Sequence, residues 1–377
     1  MRIALSLLSL RPGQVGGAET YVRALVRHMP AVAGEDELLL VLDRDLDREL
    51  DGRGWTKVVM PYGARELVGR RIAEAYTPWR DRASERVLAS ARPDVTLFPQ
   101  QSIFPHRAPG VAVMSVGDVQ HLFFPGNFGL FDRTFRSRVY PRSLERAEHL
   151  IAVSEFTRRT LLERCCVAPE KVTTILHGVE RPAEEGAVAQ LQDIKSGNRV
   201  EGPYLYCPAA TWPHKGHDRL FQVYAALRRD GRVQERLVLT GQRTRLWERE
   251  LLPLARRLGI DHDTSHLGFV PHTHVGPLMA GARAVLFPTR FEGFGLPVVE
   301  AAAVGARIVA SRLEVFDEIG LPRESQVDFD DPGEVAAALG RPAPTRLLRE
   351  PMSWGETVGR TMEMLQTVAA GHNLKRR

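Results

Sequence analysis

An α/β fold of two doubly wound domains is the class this sequence predicts, and three observations carry that prediction. Short apolar runs of the parallel-sheet type (IALSLLSL from Ile3, ELLLVLD ending at Asp43, VAVMSV, PYLYCP, RLVLT, AVLF) alternate with helical stretches along the whole chain. A glycine-bearing loop follows one such run in each half, at Gly16-Gly17 and at residues 293–295. At 377 residues the chain is long for one core and well suited to two. Ligands of open parallel sheets bind outside the carboxyl ends of the strands, so two domains facing across a cleft are expected.

Composition narrows the classes. Apolar content of 44% and charged content of 26% suit a soluble globular protein and exclude wholesale disorder. The net charge is only +5, with 46 acidic residues against 51 basic ones, which is not the footprint of a nucleic-acid binder. The cysteines are the adjacent Cys165 and Cys166 and a lone Cys207; without C-x-x-C or Cys/His ligand spacing they are expected to be reduced and structural. Only Arg2 precedes the first apolar run and no small-residue cleavage site follows it, so that run is a strand rather than a leader. No run approaches the roughly 18 apolar residues of a membrane span. The expected location is cytoplasmic, or peripheral at the inner face of the membrane.

The stretch with most chemistry is residues 284–311, AVLFPTRFEGFGLPVVEAAAVGARIVAS. AVLF is a buried strand, and Pro288 to Glu292 leave it as a loop. Gly293 and Gly295 let backbone approach a ligand, and Pro297 suits a first helical position. VVEAAAVG then forms a helix whose free N–H groups and positive dipole end face an anion. Glu292 lies in the loop and Glu300 one turn into the helix, able to grip two hydroxyl-rich groups. Two glutamates separated by seven residues, with E-G-F-G-L-P between them, resemble the donor-site signature of retaining glycosyltransferases of family 4. The resemblance implies that Glu292 contacts the donor sugar, Glu300 the nucleotide ribose, and the backbone of Gly293, Phe294, Gly295 and Leu296 the pyrophosphate and sugar.

In the first half, RPGQVGGAET leads from a strand into the helix YVRALVRHM. Gly13, Gly16 and Gly17 have the wrong spacing for a dinucleotide fingerprint. They resemble instead the amino-terminal loop of the same family, which implies that Gly16 and Gly17 face the pyrophosphate. Asp43-Arg44-Asp45, Asp45-Leu46-Asp47, Asp261-His262-Asp263 and Asp328-Phe329-Asp330 match D-x-D formally, but such pairs arise by chance and no metal site is expected. Residues 65–92 interleave arginines with apolar residues: a helix pair with solvated faces or, alternatively, a surface for anionic lipid or a phosphate-bearing acceptor. VAVMSVGD ends a strand at Asp118. The family places His-Asp there, whereas this chain has Gly117, so the family histidine's role passes to Asp118 or to His121. Ser154 is the expected cap of the helix that follows HLIAVS, and residues 184–202 are the linker candidate.

The second half opens with PYLYCPA and a loop, ATWPHKGH, that carries Lys215, a cation placed where phosphates leave a cleft. P-A-x-x-W-P-H-K resembles a family 4 subgroup enriched in mannosyltransferases, whose lysine binds the donor diphosphate. An arginine that the family carries about five residues earlier is replaced by Ala209 and Ala210. Gly241 and Gln242 form the loop after RLVLT. HLGFV is read as the next strand, and the resemblance implies that Gly268, Phe269 and Val270 meet the nucleotide base. Ser353 caps a last amphipathic helix, SWGETVGRTMEMLQTV, and NLKRR is expected to fray.

The resemblance covers nearly the whole chain and implies the GT-B architecture. Expected domains are residues 1–185 on the acceptor side, 200–352 binding the donor, and a helix over 353–370 packing back on the first domain. The implied reaction is metal-independent, retaining transfer of a hexose, with mannose the favoured sugar, from GDP-mannose or a UDP-sugar. The acceptor is a hydroxyl of a glycan, lipid-linked or small-molecule acceptor. Two readings stay open beside it: a sugar-nucleotide epimerase or hydrolase of the same architecture, and a non-catalytic nucleotide-sugar-binding subunit.

Overall fold

The apolar runs become thirteen strands in two wholly parallel sheets of a computed structural model, which describes residues 1–11, 16–77, 80–180, 200 and 202–376. Gly13 and most of the expected linker, residues 184–199 and 201, lie outside the described residues. The chain divides into one unit made of Met1–Gly178 with Met352–Arg377, and a second made of Val179–Pro351.

The first unit is built on β1 (Arg2–Ser6), β2 (Glu37–Leu42), β3 (Thr56–Val59), β4 (Val95–Phe98), β5 (Val111–Val116), β6 (His149–Ala152) and β7 (Val172–Thr174), in the order β3-β2-β1-β4-β5-β6-β7. β4 and β5 are buried throughout, as both-face-covered strands must be. One core cluster gathers Ala4, Val41, Phe98, Met114, Leu150 and Leu161 between the sheet and its helices. Ser154 caps the helix Glu155–Cys165 by accepting the Thr157 amide at 3.0 Å.

The helix Trp354–Arg376 belongs to this first unit and packs against the helix Gly17–Val32. Ser353 and Glu356 form a capping box at its start: Ser353 Oγ accepts the Glu356 amide at 3.2 Å and Glu356 accepts the Ser353 amide at 2.7 Å. Its buried stripe is Trp354, Val358, Met362, Leu365 and Ala369, spaced three or four apart. Thr357 Oγ1 donates to the Leu176 carbonyl at 2.9 Å, and any side chain at Gly178 would overlap the backbone of Ser353 and Trp354. The helix runs on to Arg376, through the tail that sequence reasoning left frayed; no breaker interrupts NLKR.

The second unit is built on β8 (Tyr204–Pro208), β9 (Arg236–Thr240), β10 (Thr264–His266), β11 (Ala284–Phe287), β12 (Ile308–Ser311) and β13 (Gln326–Val327), in the order β10-β9-β8-β11-β12-β13. Its core packs Leu205, Leu220, Phe221, Leu239, Leu286, Val309 and Phe329. β10 corrects the HLGFV reading: the strand stops at His266, because Gly268 has φ +76° and cannot continue an extended chain. Strand order reverses direction between β1 and β4 in the first unit and between β8 and β11 in the second. Loops diverge at such a switch point and leave a crevice.

Among the described residues no helix is long and apolar enough to cross a membrane.

Candidate active site

The switch point of the second unit holds a pocket lined by the ends of β8 and β11 and their exit loops, with Ala209, Lys215, Thr289, Glu292, Gly295 and Val298 in its wall. Two clamps bind the loops to each other. Thr289 Oγ1 and the Arg290 amide donate to the His214 carbonyl at 3.1 and 2.7 Å, and the Arg290 guanidinium donates twice to the Asp218 carboxylate, at 2.7 Å each. This bidentate pair commits the one arginine of the EGFG loop to architecture. Lys215 Nζ meets Glu292 Oε1 at 2.7 Å, both side chains being largely buried.

Gly295 begins the helix Leu296–Ala303 with φ +89°, and a Cβ there would stand 2.6 Å from the Phe316 ring, so only glycine fits. Pro297 falls at the second helical position rather than the first, which it also tolerates since that amide has no intrahelical acceptor. Glu300 projects from this helix with no hydrogen-bond partner among the described residues, and burial pushes its pKa up to about 7. A half-buried carboxyl group with no hydrogen-bond partner and a raised pKa is of the kind that clusters at binding sites.

Burial also holds His214 near 3, His217 near 4 and His266 near 3, with Lys215 contributing repulsion at the first two. All three rings are therefore neutral, and burial lifts the Cys207 thiol to about 12. The positive charge in the pocket wall is that of Lys215.

Beyond β10 the Gly268 amide donates to His266 Nδ1 at 3.0 Å, which places the ring proton on Nε2, and Arg243 donates to the His266 carbonyl. Gly241 donates to the Gly268 carbonyl at 2.8 Å, and a Cβ at Gly241 would come within 2.6 Å of the Ala210 amide nitrogen. Gly241 thus serves close loop packing. Phe269 is 67% exposed, whereas Val270 and Phe294 are buried and Gly293 lies between Glu292 and Phe294 in the loop.

The remaining expected site residues belong to the first unit. Gly16, with φ 49°, precedes the helix Gly17–Val32 at the carboxyl side of β1. Asp118 Oδ1 accepts the Gln120 amide at 2.8 Å, and the Gln101 side chain donates to the Asp118 carbonyl. His121 stands edge-on to Tyr140 with centroids 4.9 Å apart; burial, then Arg136, lowers its pKa to about 4. Tyr140 donates to Gln101 Oε1 at 3.2 Å and accepts from Arg136 at 2.6 Å. Sequence reasoning missed Gln101, Arg136 and Tyr140, although Arg136 and Tyr140 are four apart and so share a helix face. A Cβ on Gly117 would find nothing nearer than Gln101 Nε2 at 3.9 Å, so its glycine is not sterically required.

The D-x-D pairs are accounted for locally. Asp43 Oδ1 caps the helix Arg44–Glu49 through the Asp45 and Leu46 amides at 3.0 Å, and Asp328 Oδ1 accepts the Asp330 amide at 2.9 Å. No group of three or more metal-ligating side chains occurs among the described residues.

Two doubly wound units, one with a glycine loop and a helix N-terminus at its switch point, define the GT-B class. Solved structures agree on this fold: sucrose-phosphate synthase from Thermosynechococcus elongatus superposes with a TM-score of 0.67 at 17% identity, covering 100% of this chain and 98% of that one. Anabaena HepE in complex with UDP and glucose superposes at 0.60 and 17%, covering 100% of both chains. The model of Glycosyltransferase Family 4 matches residues 15–181 and that of Glycosyl transferases group 1 matches residues 190–339. The chain belongs to this glycosyltransferase family. Its relatives include the O-antigen chain mannosyltransferase B of Escherichia coli, 29% identical over 180 residues, 47% of this chain and 46% of that protein. The MMP alpha-(1->4)-mannosyltransferase of Mycolicibacterium hassiacum is 27% identical over 236 residues, 59% of this chain and 54% of that protein. The matches span about half the length of these relatives.

Proposed function

We propose that the protein transfers a hexose, mannose in the first instance, from a nucleotide-sugar donor to a hydroxyl of a glycan, lipid-linked or small-molecule acceptor, with retention of anomeric configuration and without a metal. The observation that carries this reading is the joint placement of Lys215, Glu292 and the N-terminus of the helix Leu296–Ala303 around one switch-point pocket, with the unpaired Glu300 on that same helix. The mannosyltransferase names of the relatives support the sugar, and the UDP complex of HepE supports a UDP-sugar as the other donor class.

The chemistry breaks the bond from the anomeric carbon to the β-phosphate oxygen, forms one to the acceptor oxygen, and moves the acceptor proton to the departing diphosphate. Charge grows on that diphosphate, so a fixed cation and amide donors aimed at it lower the barrier. Lys215 and the free amides beginning the helix supply them. Glu292 holds Lys215 in place before the donor arrives and accepts from sugar hydroxyls afterwards, while Glu300 accepts from the ribose. Acceptor attack occurs on the face the diphosphate leaves. Asp118 and His121 are assigned to the acceptor side; His121, neutral above about pH 4, acts as a hydrogen-bonding ring and not as a cation.

A thermal-shift screen against GDP-, UDP- and ADP-sugars tests this. Ligand at a hundredfold over Kd adds about 2.7 kcal/mol, which is several degrees for a protein of this size. GDP-mannose is expected to give the largest shift and a UDP-sugar the second. A dominant UDP-sugar would reject mannose and keep the transferase; a flat response to every nucleotide would reject both.

A further inference from the structure

The first unit contains a cavity of about 400 Å³ that the donor chemistry does not use. It opens between the helices Ala64–Tyr76 and Leu130–Arg146 and the segment after β4. Its wall carries Arg71, Arg107 and Arg142 against Glu74 and Glu145. The helix pair of residues 65–92 keeps solvated faces, as expected, with Arg65, Glu66, Arg82 and Arg86 exposed, but Arg71 turns towards the cavity. Its guanidinium donates to Ser102 Oγ at 2.8 Å, Arg142 donates to the Ala75 carbonyl at 3.3 Å, and neither pairs with a described carboxylate. Burial, with Arg11 nearby, lowers Arg71 to about 10. Glu74 accepts the His106 amide at 3.1 and 3.2 Å and is itself raised by burial to about 7, so it is a weak counter-charge.

Arginines that line a cavity without a carboxylate partner are open to an anionic ligand, and the planar guanidinium fork matches phosphate oxygens. The volume falls inside the range of roughly 300 to 1,000 Å³ that small-molecule sites occupy. We propose that this cavity binds a phosphate monoester, with Arg71 and Arg142 gripping its oxygens and the Ser102 hydroxyl beside them. The phosphate can belong to a free polyol phosphate or to a lipid headgroup. Leu130 and Phe131, 80% and 59% exposed, begin the helix that carries Arg142, and Phe131 stacks on Tyr76 at 5.9 Å, an apolar edge that a lipid would use. The assignment stands apart from the transferase reading, since it is read by equilibrium binding in the other unit.

The test is calorimetric titration of the full chain with sn-glycerol 3-phosphate at low salt, beside co-sedimentation with phosphatidylcholine vesicles that contain or lack phosphatidic acid. Arg71→Ala and Arg142→Ala are each expected to weaken binding about tenfold or more. Glu74→Gln keeps an acceptor for the His106 amide and removes a negative charge, so it should strengthen binding several-fold. Saturable binding of glycerol phosphate identifies a soluble ligand, whereas binding confined to phosphatidic acid vesicles identifies the lipid. Should Arg71→Ala fail to fold, the gain with Glu74→Gln decides. Binding of neither probe, or binding that no variant alters, overturns the proposal.

Discussion

Replacing Glu300 with glutamine gives a test whose sign and size both follow from burial. In the free protein the carboxyl is lifted from an ordinary 4.5 to about 7, so below that pH it carries a proton. Ribose hydroxyls donate best to the ionised form, and a bound donor would draw the pKa back towards its ordinary value. If it returns fully, donor affinity rises roughly 70-fold between pH 5 and pH 8, about 2.5 kcal/mol, and is level above. Glu300→Gln should abolish that rise and weaken binding at pH 8 by about 1.5 to 3 kcal/mol, with little change in kcat. Stability runs the other way. A raised carboxyl pKa stabilises the empty fold at low pH, and that contribution is lost as pH climbs through about 7. At pH 8 the glutamine variant should therefore melt higher than wild type while binding donor less well. Calorimetric titration of nucleotide across this pH range reads the first effect and a melt without ligand the second. The same pH slope in both proteins would refute the reasoning.

Lys215→Ala removes the cation and orphans Glu292, so kcat/KM should fall by about two to three decades; activity within twofold of wild type would mean that other groups stabilise the leaving diphosphate. Turnover should persist in excess chelator and give a product with the donor's anomeric configuration, which NMR of the linkage will read; a strict metal requirement or inversion contradicts the mechanism. Gly178→Ala should lower the melting temperature by several degrees, because its methyl group must displace the backbone at Ser353; an unchanged melt would show that the helix start is free to shift. Gly117→His, by contrast, places its Cβ in open space, and a melt close to wild type is expected.

Much of the fold was legible because its signals are local. Apolar runs such as AVLF and VAVMSV are buried strands, Ser154 and Ser353 cap the helices they precede, and Gly295 stands where a positive φ and the Phe316 ring exclude every other residue. What escaped depends on partners distant in sequence. Arg290 is held by Asp218, 72 positions away, a partner that nothing in the local sequence marks. Arg71 looked solvated because helical spacing says which face a residue occupies and nothing of what covers it. The lowered pKa of His121 comes from burial, which no single sequence displays, and then from Arg136. Glu300 was placed by its spacing from Glu292, but its lack of a counter-charge is a property of the packed fold alone.

The unit that contains β1 is finished by the helix Trp354–Arg376, and every residue of the second unit is translated between the two. Emerging from a ribosome, the second unit has all its strands in hand while the first still exposes the groove where Trp354, Val358, Met362 and Leu365 will lie. Domains generally fold as units during synthesis, so the second unit should be the first to become protease-resistant on a stalled nascent chain, although it is encoded second. A chain stalled before Met352 would then carry a finished second unit and an incomplete first one, with bare apolar surface for chaperones to find.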